Sequence, residues 1–548
     1  MATITGSEVL AQALHSQGVD TLFYLMGGPM LETEAACIKL GIRAIDTRHE
    51  QAAALAAHAW TRLTRRPGVC MGCSGPGTTN LVTGVANAFT DAAPLVAIGG
   101  SSPRVYLGME AFQEIDQVAI MKPITKRAER IYDARRIPDV VATAFREATA
   151  GRPGPVYLDL PGDVLGEKIE EESVTYPAAW RPSPRTLGDP AAIREAVALL
   201  ARAERPVILA GSGVWWSDGA AALQALVEAT GIPFYTTPIS RGLIPEDHAL
   251  AFLNARSKAF TEADVVLAVG TRFNWVIQFG RAPRFAADMK VIHVDVNPAQ
   301  LGHNRAVDVP IAGDARAVLE QLRAEAEGKI QPKQYAAWTG KLRTLDSEKS
   351  AEMDKAMSPD TTPIHPLRLC KEIRDFVRRD SILVVDGQEI LNYGRQAIPT
   401  FVAGHRLNSG ALGTMGVGLP FGVGAKIARP DAQVLVLHGD GSYGINAMEI
   451  DTAVRHKIPV VVVISNNGGW TANAPWTRPL PKPGRHLGHT RYDRVAQELG
   501  AHGEFVEKPH EIRPALERAF ASGKPAVVNV ITDDKARAQT VRFSAYTT

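Results

Sequence analysis

The sequence predicts an α/β fold of three doubly wound, parallel-sheet domains, and three observations support it. Apolar runs of strand length alternate with segments of helical spacing along the whole chain. Two stretches interrupt that alternation: Pro177 to Pro190, PAAWRPSPRTLGDP, is Pro-rich and aperiodic, and Ser347 to Pro363, SEKSAEMDKAMSPDTTP, is polar and mixed in charge. Finally, Val434 to Trp470 reads as strand, turn, helix, strand, a crossover that makes its two strands parallel. Read as linkers, the two interruptions divide the chain into residues 1–180, 190–345 and 360–548.

In the first domain, SEVLAQALHSQG is a helix with a Gly stop, TLFYLMG a strand, and Leu31 to Leu40 a helix. The strand IRAIDT runs through Arg48-His49-Glu50-Gln51 into the Ala-rich helix QAAALAAHAWTRLT. A glutamate at such a junction is favoured by the helix dipole whatever else it does. A Gly-rich turn from Gly75 to Asn80 opens another helix, and Pro94 starts another strand. The second domain has strands RPVILAGSG, IPFYTT, DVVLAVGTR and KVIHVDV. Gly211-Ser212-Gly213 after one strand and Asp295 at the end of another fit a nucleotide-binding edge, or equally a spacer domain that has lost that role. The last domain opens at SILVVDGQEI and shares only a general architecture with the first. From Thr532 the chain is polar, with Lys535, Arg537 and Arg542, and forms either a frayed tail or a lid.

With 548 residues, 45% of them hydrophobic, the chain can bury several cores. Sixty Lys and Arg against 58 Asp and Glu leave a net charge of +2, which argues against a general nucleic-acid or membrane-surface partner. The start MATITGSEVLAQAL lacks a basic segment followed by an apolar one, and no apolar run is long enough to span a bilayer, so the protein reads as cytoplasmic. Cys37, Cys70, Cys73 and Cys370 are too few for a disulfide framework. The CxxC of Cys70 and Cys73 lacks the second pair a zinc site needs and reads as a buried strand entering a turn. His486 and His489 belong to a Pro/Gly-rich loop rather than to a metal site.

The chemistry concentrates at the ends of two apolar runs. VLVL finishes in His438-Gly439-Asp440-Gly441-Ser442, a segment with helical spacing follows (Ile445, Met448, Ile450, Ala453), and VVVVI finishes in Asn466-Asn467. Parallel strands end at the same sheet edge, the edge where open α/β folds bind ligands, so Asp440 and Asn467 are expected side by side. A carboxylate, an amide oxygen and a backbone carbonyl suit Mg²⁺, which completes its octahedron with phosphate oxygens and water. Gly439 and Gly441 let the backbone approach a phosphate, and the next helix aims its first amides at it.

GDGS, a helix-length gap and Asn-Asn resemble the shared signature of thiamine diphosphate enzymes. Arg48-His49-Glu50 before QAAA, and SGPGTTNLVTGVANAFTDAAPLVAIGG from Ser74, resemble their acetolactate synthase-like branch. GTRFNWVIQFG, Gly270 to Gly280, is similar to the RLNW-like segment of 2-hydroxyacyl-CoA lyases and oxalyl-CoA decarboxylases, where acetolactate synthases are closer to RFDDR. The resemblance implies a pyrimidine-binding first domain, a middle domain for nucleotide or CoA, and a diphosphate-binding last domain. It assigns Glu50 to the N1′ atom of the cofactor's aminopyrimidine and Met415, in GALGTMGVGLP with Gly413, to the wedge under the bent cofactor. It places Asp440, Asn467 and the carbonyl of Gly469 on Mg²⁺, and Gly387, Gln388, Gly439, Gly441, Ser442 and Trp470 around the cofactor. Gln113 becomes a polar substrate contact on a loop with Phe112 and Glu114, while Arg256, Arg272, Asp295, Arg395 and Gln396 fall where relatives hold CoA or ADP.

The activity implied is reversible cleavage of a small 2-hydroxyacyl-CoA, with 2-hydroxyisobutyryl-CoA the candidate, to an aldehyde or ketone and formyl-CoA. Oxalyl-CoA decarboxylase and an acetolactate synthase-like carboligase on 2-oxo acids are the competing readings. Trp470 stands where relatives carry GIYxG-like residues and leaves the acyl group open. A homodimer at least, and by the resemblance a homotetramer, is the expected assembly.

Overall fold

The computed structural model describes residues 2–179, 185–470 and 484–538. The first domain contributes β1 (Thr3–Thr5), β2 (Thr21–Tyr24), β3 (Arg43–Asp46), β4 (Gly68–Gly72), β5 (Leu95–Ser101), β6 (Arg127–Arg130), β7 (Pro155–Pro161) and β8 (Lys168–Glu170). β1 and β8 form an antiparallel ribbon; the others form a parallel sheet in the order β3-β2-β4-β5-β7-β6. The middle domain holds β9 (Pro206–Ala210), β10 (Phe234–Thr236), β11 (Val265–Val269), β12 (Lys290–Asp295) and β13 (Val309–Ala312), ordered β10-β9-β11-β12-β13. The last domain holds β14 (Ile382–Asp386), β15 (Arg406–Leu407), β16 (Val434–Gly439), β17 (Val461–Asn466), β18 (His502–Val506) and β19 (Ala526–Ile531), ordered β15-β14-β16-β17-β19-β18. The inner strands β4, β5, β7, β9, β11, β14, β16, β17 and β19 are mostly apolar and buried on both faces, as parallel sheets between helix layers require, whereas edge strands such as β6 and β18 are half-buried.

The first and last domains share more than general architecture. Counting each sheet's strands from its own first, both follow the order second, first, third, fourth, sixth, fifth. The helices after the second strand of each, Glu50–Thr64 and Gly418–Ala428, pack on one another, so one apolar core runs through both domains, each of which has a further core of its own, while the middle domain keeps its own. The Ala-rich sequence of the first helix explains the approach. A Cβ on Gly424 would sit 2.2 Å from the Ala56 carbonyl oxygen, and one on Gly84, in the helix Pro76–Thr90, 2.5 Å from the Ala54 Cβ. Interaxial distance follows the size of the contacting side chains, and here they are the smallest available.

Two expectations are corrected. The stretch from Ser347 expected as linker is helical as far as Ala356, the end of a 21-residue helix that starts at Ala336. Only its first turns are buried, at Trp338, Thr339 and Leu342, so its remainder is polar like a linker yet contains no breaker before Pro359. The crossover after β16 is two short helices, Asp440–Ile445 and Glu449–Arg455, not one. Between them Asn446 Nδ2 donates to the Gly416 carbonyl at 2.8 Å, and Ile445 and Met448 are each 47% exposed although their spacing suggested a buried stripe. Residues 180–184 of the first linker lie outside the described residues. No helix among the described residues is long and apolar enough to cross a membrane.

Candidate active site

β16 and β17 pair in parallel with Gly439 opposite Ser465, so Asp440 and Asn467 leave the sheet at one edge. The Asn467 amide oxygen points at two further oxygens, Gly469 O at 2.9 Å and Asp440 Oδ1 at 3.0 Å, a position where the amide's NH₂ would otherwise serve as donor to both. With its NH₂ turned there Asn467 satisfies both oxygens, and with its oxygen turned there the acceptors need a cation among them. Ligands about 2.0–2.1 Å from an octahedral Mg²⁺ stand about 2.9 Å apart along an edge. Asp440 is 2% exposed and its Oδ2 has no hydrogen-bond partner among the described residues. Burial pushes its carboxyl up to about 7, against the backbone amides of Gly441, Gly469 and Asn467 that favour the anion. The donor set therefore fits a hard divalent ion.

Around this point, Gly387, Gln388, Met415, Gly439, Gly441, Ser442 and Trp470 line one pocket with Asp440, Asn467 and Gly469. Gly413 lies outside it, in the loop that leads to Met415. Gly387 needs its glycine, with φ at 122°. The indole of Trp470 packs on Gly441, where an added Cβ would come within 2.8 Å of the ring.

Sequence reasoning missed Asp386, whose signal was its place at the end of the strand in VVDGQ. Its Oδ2 accepts the Gly418 amide at 2.9 Å, and the amides of Gly387, Gly416 and Val417 also face it, so one buried carboxylate ties the Gly387 turn to the Met415 turn. Burial raises it to about 6. Also missed were Asp533 and Ala536, which bring the C-terminal segment to the pocket. The Ala538 amide donates to Glu389 Oε2 at 2.8 Å, and the remainder of the expected tail or lid, from 539, lies outside the described residues.

Glu50 opens its helix 4% exposed, and its Oε2 accepts from Asn80 Nδ2 at 2.9 Å. Gln113, at φ 61°, accepts from Ser74 Oγ at 2.6 Å and packs on Gly75. Buried Gln117 also reaches this turn: its Oε1 accepts the Gly75 amide at 2.5 Å, and its Nε2 donates to Asp159 Oδ1 at 2.7 Å. Glu50 and Gln113 form a second group of residues, and neither lines the Asp440 pocket of its own chain. On the same loop Phe112 is 87% exposed, whereas Glu114 accepts the amides of Gly108 and Ala111 at 2.5 and 2.9 Å, which holds its carboxyl below the usual range.

The structure separates the residues expected at CoA or ADP into two places. Arg272 and Asp295 line a cleft of about 550 Å³ at the strand ends of the middle domain, with Ser212, Gly213, Arg152 and Trp216. Burial raises the Asp295 carboxyl, and its Oδ1 accepts the Asn297 amide at 2.8 Å. The Arg272 guanidinium donates to Thr90 O. Arg256 and Arg395 lie elsewhere, grouped with Arg284, and Gln396 is exposed beside Arg395. Arg256 and Arg284 flank one Phe260 ring at 5.1 and 5.7 Å. The three guanidiniums donate to Thr236 O, Ser257 Oγ and Asn392 Oδ1, and none has a carboxylate partner among the described residues. Burial, then Arg284 and Arg395, pushes Arg256 down to about 9.

The four cysteines are free thiols, and among the described residues no group of three or more His, Cys, Asp or Glu side chains could hold a metal.

Three family models match in succession: the thiamine pyrophosphate enzyme N-terminal TPP binding domain over residues 4–120, the central domain over 193–322, and the C-terminal TPP binding domain over 392–530. The chain is 39% identical over 542 residues to the acetolactate synthase large subunit IlvG of Mycobacterium tuberculosis, covering 97% of this chain and 96% of that one. It is 35% identical over 565 residues to a 2-hydroxyacyl-CoA lyase of Arabidopsis thaliana, covering 99% and 98%. It is 33% identical over 540 residues to the oxalyl-CoA decarboxylase of Escherichia coli K12, covering 97% and 95%. With both TPP-binding domains present and the strand ends arranged as described, the chain belongs to the thiamine pyrophosphate enzyme family.

Proposed function

We propose that this protein is a thiamine diphosphate- and Mg²⁺-dependent lyase that cleaves a small 2-hydroxyacyl-CoA to a carbonyl compound and formyl-CoA. The observation that supports a CoA thioester is the cluster of Arg256, Arg284 and Arg395, three guanidiniums with no carboxylate partner among the described residues. Like charges held together under partial burial are costly unless an anion joins them, and a phosphate is the anion guanidinium geometry suits. Arg395 lies six residues after Glu389 on the helix that begins beside the pocket, about 9 Å along its axis. A free 2-oxo acid has no group to reach that far. The Mycobacterium relative favours a second reading, an acetolactate synthase-like carboligase, and oxalyl-CoA decarboxylase is a third.

Asp440, Asn467 and the Gly469 carbonyl would hold the ion and, through it, the diphosphate. Thiamine diphosphate, when bound, supplies the nucleophilic carbon for cleavage beside a carbonyl. Glu50, buried at the first turn of its helix, would hold the proton at the pyrimidine N1′ atom, and Gln113 would orient the substrate's polar group. Within one chain Glu50 and the Asp440 pocket are separate, which supports a site completed by a second copy, hence a homodimer at least. Apolar side chains exposed beside each half, Val105, Met109 and Phe112 on one and Ile445, Met448 and Leu487 on the other, suit such a contact. The pocket is narrow, about 40 Å³, and the Trp470 indole packed on Gly441 forms one of its walls. The middle cleft, with Asp295 and Arg272, would take ADP.

The test compares 2-hydroxyisobutyryl-CoA, the free 2-hydroxy acid, oxalyl-CoA and pyruvate at equal concentration, with products identified by mass spectrometry. Formyl-CoA with acetone from the first is expected; acetolactate formed from pyruvate faster than any thioester is cleaved would overturn the assignment.

A further inference from the structure

Glu50 follows a three-residue turn, Thr47 to His49, that joins the end of β3 at Asp46 to its helix. On one side the turn hangs on the sheet, with the Thr47 amide and Oγ1 donating to Tyr24 O at 2.8 and 3.2 Å. On the other side it meets the helix Glu449–Arg455 of the last domain, whose residues grip it repeatedly. Glu449 Oε1 and Oε2 accept the Arg48 amide at 3.1 and 3.2 Å, and Thr452 Oγ1 donates to Glu449 Oε2 at 2.6 Å. His456 Nε2 stands 2.7 Å from Asp46 Oδ1, the Arg455 guanidinium pairs with Asp46, and that of Arg48 stands 3.5 Å from Asp451.

Of these ties the one through Glu449 is shielded from water, at 2% exposure, while Asp46, Arg48 and Arg455 are open to solvent that competes for their charges. A buried carboxylate has to be hydrogen-bonded, and the donors it has are the turn's own amides, Arg48 and its neighbour His49, with the Thr452 hydroxyl. Glu449 thus fixes the backbone two residues before Glu50. Misplacing a reacting group by about 1 Å can cost about 10²-fold in rate.

We infer that Glu449 is a positioning residue for Glu50, setting from the last domain the height and angle at which that carboxylate is presented. The inference rests on the reading of Glu50 as the proton-holding group. It also has a direction: Glu449 follows Asp440 in sequence, yet acts on the half-site of its own chain that does not contain Asp440.

Hydrogen exchange on the ion- and cofactor-free full chain tests the contact itself. In Glu449→Gln and Glu449→Ala the amides of Arg48 and His49 should exchange at least threefold and tenfold faster, with β16 unchanged; unchanged exchange in both variants would overturn the inference. The direction is read by mixing Glu50→Gln chains with Asp440→Ala chains, whose mixed dimer has one working site. Glu449→Gln added to the Asp440→Ala chain, beside the working Glu50, should lower activity at least tenfold, and added to the Glu50→Gln chain should change it less than twofold. Equal losses from both placements would show a structural role and overturn the positioning one. An inactive parent mixture would instead overturn the two-subunit site, and the exchange rates would still decide on Glu449.

Discussion

The first and last domains are one strand order used twice, and what separates them is the chemistry at equivalent strand ends. The third strand of the first sheet, β4, runs into Gly72-Cys73-Ser74-Gly75, whereas the third strand of the last, β16, runs into Gly439-Asp440-Gly441. After the second strand the contrast reverses: β3 leads to the buried carboxylate of Glu50, and β15 to the apolar side chain of Met415. Each domain thus places a different buried acid, Glu50 or Asp440, at these strand ends, with Asp386 beside the second. The fold supplies an edge; in the proposed reading a few residues decide whether it would serve a cation or a proton.

The largest effect should come from removing the acid on the cation side. Asp440→Ala should lose the divalent ion and, with it, retention of thiamine diphosphate through gel filtration, by more than the roughly 10- to 100-fold that outer-shell changes cost. Cofactor retained at wild-type affinity after chelation would break the contrast. On the proton side, Glu50→Gln should keep ion and cofactor, measured by calorimetry, while kcat falls about 10²- to 10⁴-fold. A loss below tenfold, with chemistry rate-limiting, would remove Glu50 from that role.

Arg284→Ala should leave both edges intact and weaken only the proposed handle. One charge-assisted hydrogen bond is worth about 1.5–3 kcal/mol, or roughly 10- to 100-fold in kcat/KM for the CoA thioester, with little change for a thioester lacking the phosphate. The smallest effect is a slope in pH. The ion-free Asp440 carboxyl is raised to about 7, so below that value a proton must leave before the ion binds. Mg²⁺ affinity should fall about tenfold for each pH unit below 7 and level off above it; a flat profile from pH 5 to 7 would mean another group sets the site.

The meeting of Asp440 and Asn467 at one edge was legible because a crossover between two apolar runs forces them to the same end of neighbouring strands. Glu50 is singled out by the resemblance of Arg48-His49-Glu50 before QAAA to the acetolactate synthase-like branch, since a helix dipole alone favours an acid there. Pairings across long separations had no such local sign. Glu449 meets the Arg48 amide across 401 residues, and neither residue has a spacing that announces the other. Arg284, among many solvated arginines, is distinguished only by the missing carboxylate. The helix Ala336–Ala356 was hidden by composition, since a mostly solvated helix and a polar linker use the same residues.

The close packing of Gly418–Ala428 on Glu50–Thr64 also sets the order in which the protein can be made. The outer face of the Glu50 helix, a row of alanines, finds its cover in residues synthesised roughly 250 positions after the first domain ends. At about 5–20 residues per second that interval is on the order of 10–50 s. Throughout it the nascent first domain would hold Glu50 on a helix with one bare flank, a window in which a chaperone, or the same domain of another nascent chain, is the available cover.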